Sequence, residues 1–210
     1  MNTIMWTAPL VAAGRPVDHA GELVRRHLGL STPVEHWAAP LYDAPSKAPG
    51  VIDHDDLLAT AALGVRITRQ TLTQFHAALP ALNAWLGELP ADVSLADADD
   101  DLVDRVAAAL SSSELEPTTT AKLLHRARPR LVPPYDRAVS DWYARALCDR
   151  GAGRPPTLLY RLRSDLANER NHDSLVRLQQ LAAAASDGGL VRSRLRLFDI
   201  AVWMAANDRT

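Results

Sequence analysis

Residues 122–143 read KLLHRARPRLVPPYDRAVSDWY. Lys122, His125, the four arginines Arg126, Arg128, Arg130 and Arg137, and three prolines surround Asp136. A carboxylate at a helix start amid cations sits in a field that favours its anion. Such an anion can stabilise a developing positive charge, orient a water or act as a base. The structural alternative is an N-cap worth about 1 kcal/mol, approached along an extended segment set by Pro133 and Pro134. Lys122 and His125 lie three apart and share a helix face. They suit phosphate contact or acid–base chemistry, and a partly buried Lys122 suits nucleophilic chemistry. The alternative for both is an exposed polar stripe opposite Leu123 and Leu124. Arg126, Arg128 and Arg130 follow that helix, where cations complement its dipole or grip phosphates. Tyr135 and Trp142 are candidates to stack on a base, with a core position as the alternative for Trp142. Asp199 interrupts the otherwise apolar LRLFDIAVWM. A buried acid there needs a partner, for which an arginine, Lys122 and His125 are candidates.

The elements that must position these residues are helical. PVDHAGELVRRHLGL (16–30) has helical periodicity with Pro16 near its start and Gly29 near its end, and the proline-rich 31–52 reads as an irregular loop. Apolar spacing predicts helices over 54–64, 67–79, 80–89, 102–110, 117–127 and 136–150. Three more follow over 157–171, 172–186 and 193–207, with Gly188 and Gly189 between the last two and Ser193 placed to cap the last. No window alternates with a period of two. The expectation is an all-α fold, a single compact domain of about eight helices over 1–210, with an N-terminal helix and loop (1–52) and a helical core (53–210).

Composition bounds the function classes. With 210 residues, 47% of them hydrophobic, the chain can build a real core. A net charge of −2 excludes a uniformly basic nucleic-acid binder. The charge is nonetheless split: residues 92–104 carry six aspartates, whereas 122–137 carry five Lys/Arg and one acid. The lone Cys148 permits neither an intrachain disulfide nor a CxxC zinc site. No segment suits a membrane span or a signal peptide, so a cytoplasmic protein is expected. No HExxH, GxSxG, Walker or GxGxxG pattern occurs and the histidines lack metal-like spacing, so no metal or cofactor is expected.

TAKLLHRARPRLVPPYDRAV and RLRLFDIAVWM, with DDLLATAALGVRI upstream, resemble an actinobacterial family of uncharacterised proteins over most of residues 50–205. A T-A-K helix followed by VPPYD opening a second helix is also similar to the core of the helix-hairpin-helix DNA glycosylase superfamily. That resemblance implies a glycosylase-like core around residues 102–150, with Asp136 as the catalytic aspartate and Lys122 set against the catalytic lysine. It departs at the hairpin: ELEPTTTAK lacks the glycines that let backbone N–H groups reach a phosphate. The leading expectation is a DNA- or nucleobase-glycosylase-like hydrolase whose ligand is DNA or another phosphate-bearing molecule. In it Asp136 and Lys122 are catalytic, and His125, Arg126, Arg128, Arg130 and Arg137 hold phosphate. Tyr135 and Trp142 stack, and Asp199 supports. The alternatives are a non-catalytic helical accessory protein for nucleic acid or an acidic partner, and a small-molecule enzyme of a natural-product pathway.

Overall fold

The computed structural model describes residues 9–30, 39–46, 50–184 and 192–207. Among them are a two-stranded antiparallel hairpin, β1 (Leu10–Ala12) and β2 (Arg15–Val17), and ten α-helices. These are α1 (Ala20–His27), α2 (Ala39–Asp43), α3 (His54–Thr60), α4 (Arg69–Glu88), α5 (Asp100–Ser111), α6 (Pro117–Ala127), α7 (Arg137–Ala146), α8 (Thr157–Ala167), α9 (Glu169–Ala184) and α10 (Arg194–Asn207). The fold is mostly helical, as expected, and the described helices outnumber the expected eight.

Three boundaries differ from the sequence reading. The hairpin occupies the start of the predicted 16–30 helix. Ala13 and Gly14 both have positive φ, 53° and 74°, the conformation of a two-residue turn that suits strand twist. Second, α4 runs unbroken from Arg69 to Glu88 through Pro80 instead of splitting there. Pro80 faces solvent, while Phe75, Ala78, Leu82 and Leu86 bury one stripe; that burial offsets the missing hydrogen bond. Third, α2 lies in the predicted loop, and its Tyr42 is 1% exposed. The expected Gly188–Gly189 separator lies outside the described residues. The Ser193 cap forms as expected, its Oγ accepting from Arg196 N at 3.0 Å.

One apolar cluster runs from Leu10 through Phe75, Val103, Leu123 and Leu159 to Phe198. The helix α10 is its axle: Leu195–Val202 are all buried, and the helix packs on α1, α7 and α9. Helix α6 is sunk almost as deeply, with every residue of Thr119–His125 buried. The exposed polar stripe considered for Lys122 and His125 therefore does not form: both residues are buried. No described helix is long and apolar enough to cross a membrane.

Candidate functional site

Three elements converge where α6, α7 and α10 meet. Glu116 precedes α6, Pro117 starts it, and Lys122 lies near its middle. The prolines Pro133 and Pro134 end the connecting segment, and Asp136 opens α7 as its N-cap. The two carboxylate oxygens of Asp136 divide their work: Oδ1 accepts from Ala138 N at 2.9 Å, and Oδ2 stands 3.8 Å from Lys122 Nζ. The cap and the site are thus one residue. Lys122 Nζ also donates to Leu63 O at 2.8 Å. That carbonyl ends the 3-10 turn Ala61–Leu63, where Gly64 turns the chain away in the left-handed region (φ 81°). Burial lowers the Lys122 pKa, and Asp136 opposes that shift.

Asp199 comes in from α10. Its Oδ2 accepts from Arg196 Nη1 at 2.9 Å. Burial raises its pKa to about 7 and the nearby Asp136 adds to the rise, while Arg196 opposes it. Arg196 forks between two acids, since its Nε also donates to Asp43 Oδ1 at 2.9 Å. Asp43, at the end of α2, takes Arg192 Nε on its other oxygen at 2.6 Å. Burial alone would raise the Asp43 pKa, but Arg196 and Arg192 outweigh it and the net shift is downward. On the α1 side is His27, which burial and Arg196 push down to about 3; it meets Trp203 edge-on at 6.1 Å between ring centroids.

These groups wall a cavity of about 250 Å³ lined by Lys122, Asp136, Arg196, Asp199, His27 and Trp203, with Ala62, Leu63, Gly64, Pro134 and Ile200 as its apolar surface. It adjoins an outer cleft of about 570 Å³ that shares Leu63, Gly64, Lys122, Asp136 and Trp203, and whose rim carries Arg66, Arg137 and Glu116. The inner space is at the small end of ligand pockets and has their usual make-up of apolar walls with a few convergent polar groups.

A family model described as a family of unknown function (DUF6308) matches residues 20–206. The chain belongs to that family. The match starts at the first residue of α1 and includes every wall of the cavity, leaving out the hairpin. No curated protein and no solved structure matches the chain.

In this DUF6308 chain the candidates from the sequence separate into three groups. Lys122, Asp136 and Asp199 come together in the inner cavity, and Arg137 stands on the outer rim, its side chain 92% exposed. His125, Arg126 and Arg128 do not reach the cleft, which corrects their assignment as phosphate ligands. His125 stacks on Tyr42 and donates from Nδ1 to Val132 O at 2.6 Å. Arg126 donates to the buried Asp56 at 2.8 Å and to Tyr42 O. Arg128 donates to Leu86 O at 2.6 Å and Leu89 O at 2.8 Å, closing the end of α4 where helix carbonyls lack partners. Arg130 lines a separate hollow with Arg192 and Arg194. The stacking residues are corrected too. Tyr135 is half-buried and donates to Gly153 O at 3.3 Å, and Trp142 is buried with its Nε1 on Ala12 O at 3.2 Å. The aromatic wall of the cavity is Trp203, which the sequence reading passed over together with Arg196, His27 and Asp43. Of these, Arg196 carried a signal: it lies three residues before Asp199, one helical turn away.

Three buried groups set a pH dependence of stability. His27 and His125 titrate near 3 and 4 in the fold, below the ordinary 6.5, so the unfolded chain takes up two protons on acidification that the fold refuses. Asp199 acts in reverse: the fold keeps its proton up to about 7, whereas the unfolded chain releases it above 3.8. Taken together these three groups leave one proton in favour of the unfolded state between pH 6.5 and 4, a loss of about 1.4 kcal/mol per pH unit of acidification, against which works Asp165, whose pKa burial also raises. Urea melts across that range should show stability falling on acidification, and Asp199→Asn should steepen the fall by removing an opposing proton. An unchanged slope in the variant would contradict the buried acid.

Proposed function

We propose that the cavity is an acid–base site for hydrolysis of an N-glycosidic bond in a nucleoside- or nucleotide-sized substrate. One observation carries the reading: two carboxyl groups in unlike surroundings, Asp136 beside an ammonium and Asp199 holding a proton near neutral pH, line one small cavity. Two carboxyl groups held in unlike surroundings can divide the roles of acid and base. In this scheme the C1′–N bond breaks with its electron pair going to the base, which takes the proton of Asp199. Asp136 stabilises the oxocarbenium-like sugar and takes a proton from the water that adds to C1′. Trp203 offers a stacking wall, and Arg66 and Arg137 at the rim suit a phosphate.

The approach of Lys122 and Asp136 to 3.8 Å supports the likeness of the α6–α7 unit to a glycosylase core, because it brings the two carried-over residues to one place. It does not extend to duplex DNA. With His125, Arg126 and Arg128 engaged inside the protein, the segment leaves Arg130 and Arg137 for phosphate, and they line different hollows. A track of phosphate contacts needs several aligned cations. A non-catalytic binding module is the second reading, favoured by the Asp136 cap, which gives that carboxylate a structural reason to be there.

The test is incubation with nucleosides and their 5′-phosphates at neutral pH, with free base quantified by chromatography and the released sugar by its reducing end. Time-dependent release of both is the expected result. Binding without release selects the second reading, and neither binding nor release removes both.

A further inference from the structure

We infer that His54 and His76 form a two-imidazole site for a divalent transition-metal ion. The inference is independent of the hydrolytic reading. His54 is the first residue of α3, and His76 lies in the first half of α4. They are 22 positions apart, and their exposed side chains bring Nε2 to Nε2 at 2.8 Å. The ring centroids are 5.0 Å apart, so the rings point at one another nearly end to end. Phe75, which is fully buried, meets the His54 ring edge to face at 5.4 Å and backs that side of the pair.

As a hydrogen bond, this contact has one nitrogen giving a proton and the other accepting it. The proton sits where two ring nitrogens converge, and neutral imidazole nitrogen is a ligand for zinc, nickel and copper. With metal–nitrogen bonds of about 2.0–2.1 Å, ligands at a right angle stand about 2.9 Å apart and tetrahedral ones about 3.3 Å. The observed 2.8 Å is close to the right-angle value, the arrangement of tetragonal copper(II) and nickel(II) sites. Each ring has to turn until both lone pairs meet at a point beside the line between the nitrogens, and exposed side chains have room to do so. Among the described residues no third His, Cys, Asp or Glu joins the pair, so water fills the remaining positions on the ion. Asp53 and Asp55 flank His54, and their charge offsets the end of the helix dipole that disfavours a cation. The segment between the histidines contains Ala62, Leu63 and Gly64 of the inner cavity and Arg66 of the outer rim. An ion held by both rings closes a loop that carries one lip of the cavity, and it stabilises the fold that presents the pair.

The test is calorimetric titration of the whole chain with Ni²⁺, alongside urea melts with and without the ion. The wild-type chain is expected to bind one ion through this pair and to melt at a higher urea concentration in its presence. His54→Gln and His76→Gln change exposed positions and should leave the metal-free melt in place. Each is expected to weaken Ni²⁺ binding by about 10²-fold and to lose the rise in midpoint, since one imidazole cannot chelate. The double variant should bind no more weakly than either single one. A loss in one variant alone assigns the ion to a single histidine and overturns the pair. Equal affinity in the wild-type chain and both variants places the ion elsewhere, such as the exposed Cys148, and also overturns it. So does the absence of any Ni²⁺ binding. Base release has no part in these readouts, so failure here leaves the hydrolytic reading standing.

Discussion

Asp136→Asn is expected to lower the rate of base release by about 10³-fold or more while the chain stays folded. The substitution separates the two jobs of the residue. An asparagine still accepts from Ala138 N, and Asn and Asp are comparable N-caps, so helix α7 keeps its start. What disappears is the negative charge beside Lys122 and, in the proposed reaction, beside the sugar carbon. Loss of one preorganised electrostatic contact to a transition state is worth about 10²–10³, and loss of a base compounds it. The measurements are kcat for base release and the midpoint of a urea melt. Turnover near wild type in folded Asp136→Asn would reduce the carboxylate to a cap. Asp136→Ala extends the comparison: it removes the cap as well, so it should melt about 1 kcal/mol earlier than Asp136→Asn with no further kinetic loss.

Arg126→Ala is expected to destabilise the fold by about 3–5 kcal/mol, since it strands the carboxylate of Asp56, which is 1% exposed, without its ion-pair partner. The guanidinium also lies over the Tyr42 ring, 5.7 Å from its centroid, so its removal loosens α2 as well. A urea melt reads the effect directly. A loss below about 1 kcal/mol, the range of exposed pairs, would mean that the pair is not sealed from water. The same variant discriminates between the roles considered for this arginine. A phosphate ligand would change the salt dependence of ligand binding and leave the melt alone.

Helical periodicity made most of the fold legible, because α5, α8 and α9 each bury a stripe at the spacing that the sequence displays. The hairpin escaped because its strands are three residues each, too short to show alternation, and its turn is an Ala-Gly pair. Helix α2 escaped because five residues span little more than one turn. In the site, Asp136 was legible from the prolines before it and Asp199 from the apolar run that it interrupts. The surplus of charge around Asp136 was the misleading signal. Arg126 and Arg128 answer to Asp56 and to the carbonyls at the end of α4, 70 residues away for Asp56 and 42 and 39 for Leu86 and Leu89. Neighbours in sequence do not reveal such partners. The same distance hid His27 and Trp203, each of which reads locally as an ordinary helix residue.

The carboxylate of Asp43 is bonded to arginines 149 and 153 positions further along the chain. The charged frame of the cavity therefore closes between two distant parts of the polypeptide, and closing such long loops is a slow step in folding. Until the segment with Arg192, Arg196 and Asp199 joins the rest of the fold, Asp43 has neither arginine and the proposed acid–base pair lacks a member. Under the proposed reaction, turnover would therefore report closure of this long-range frame more stringently than helix content does.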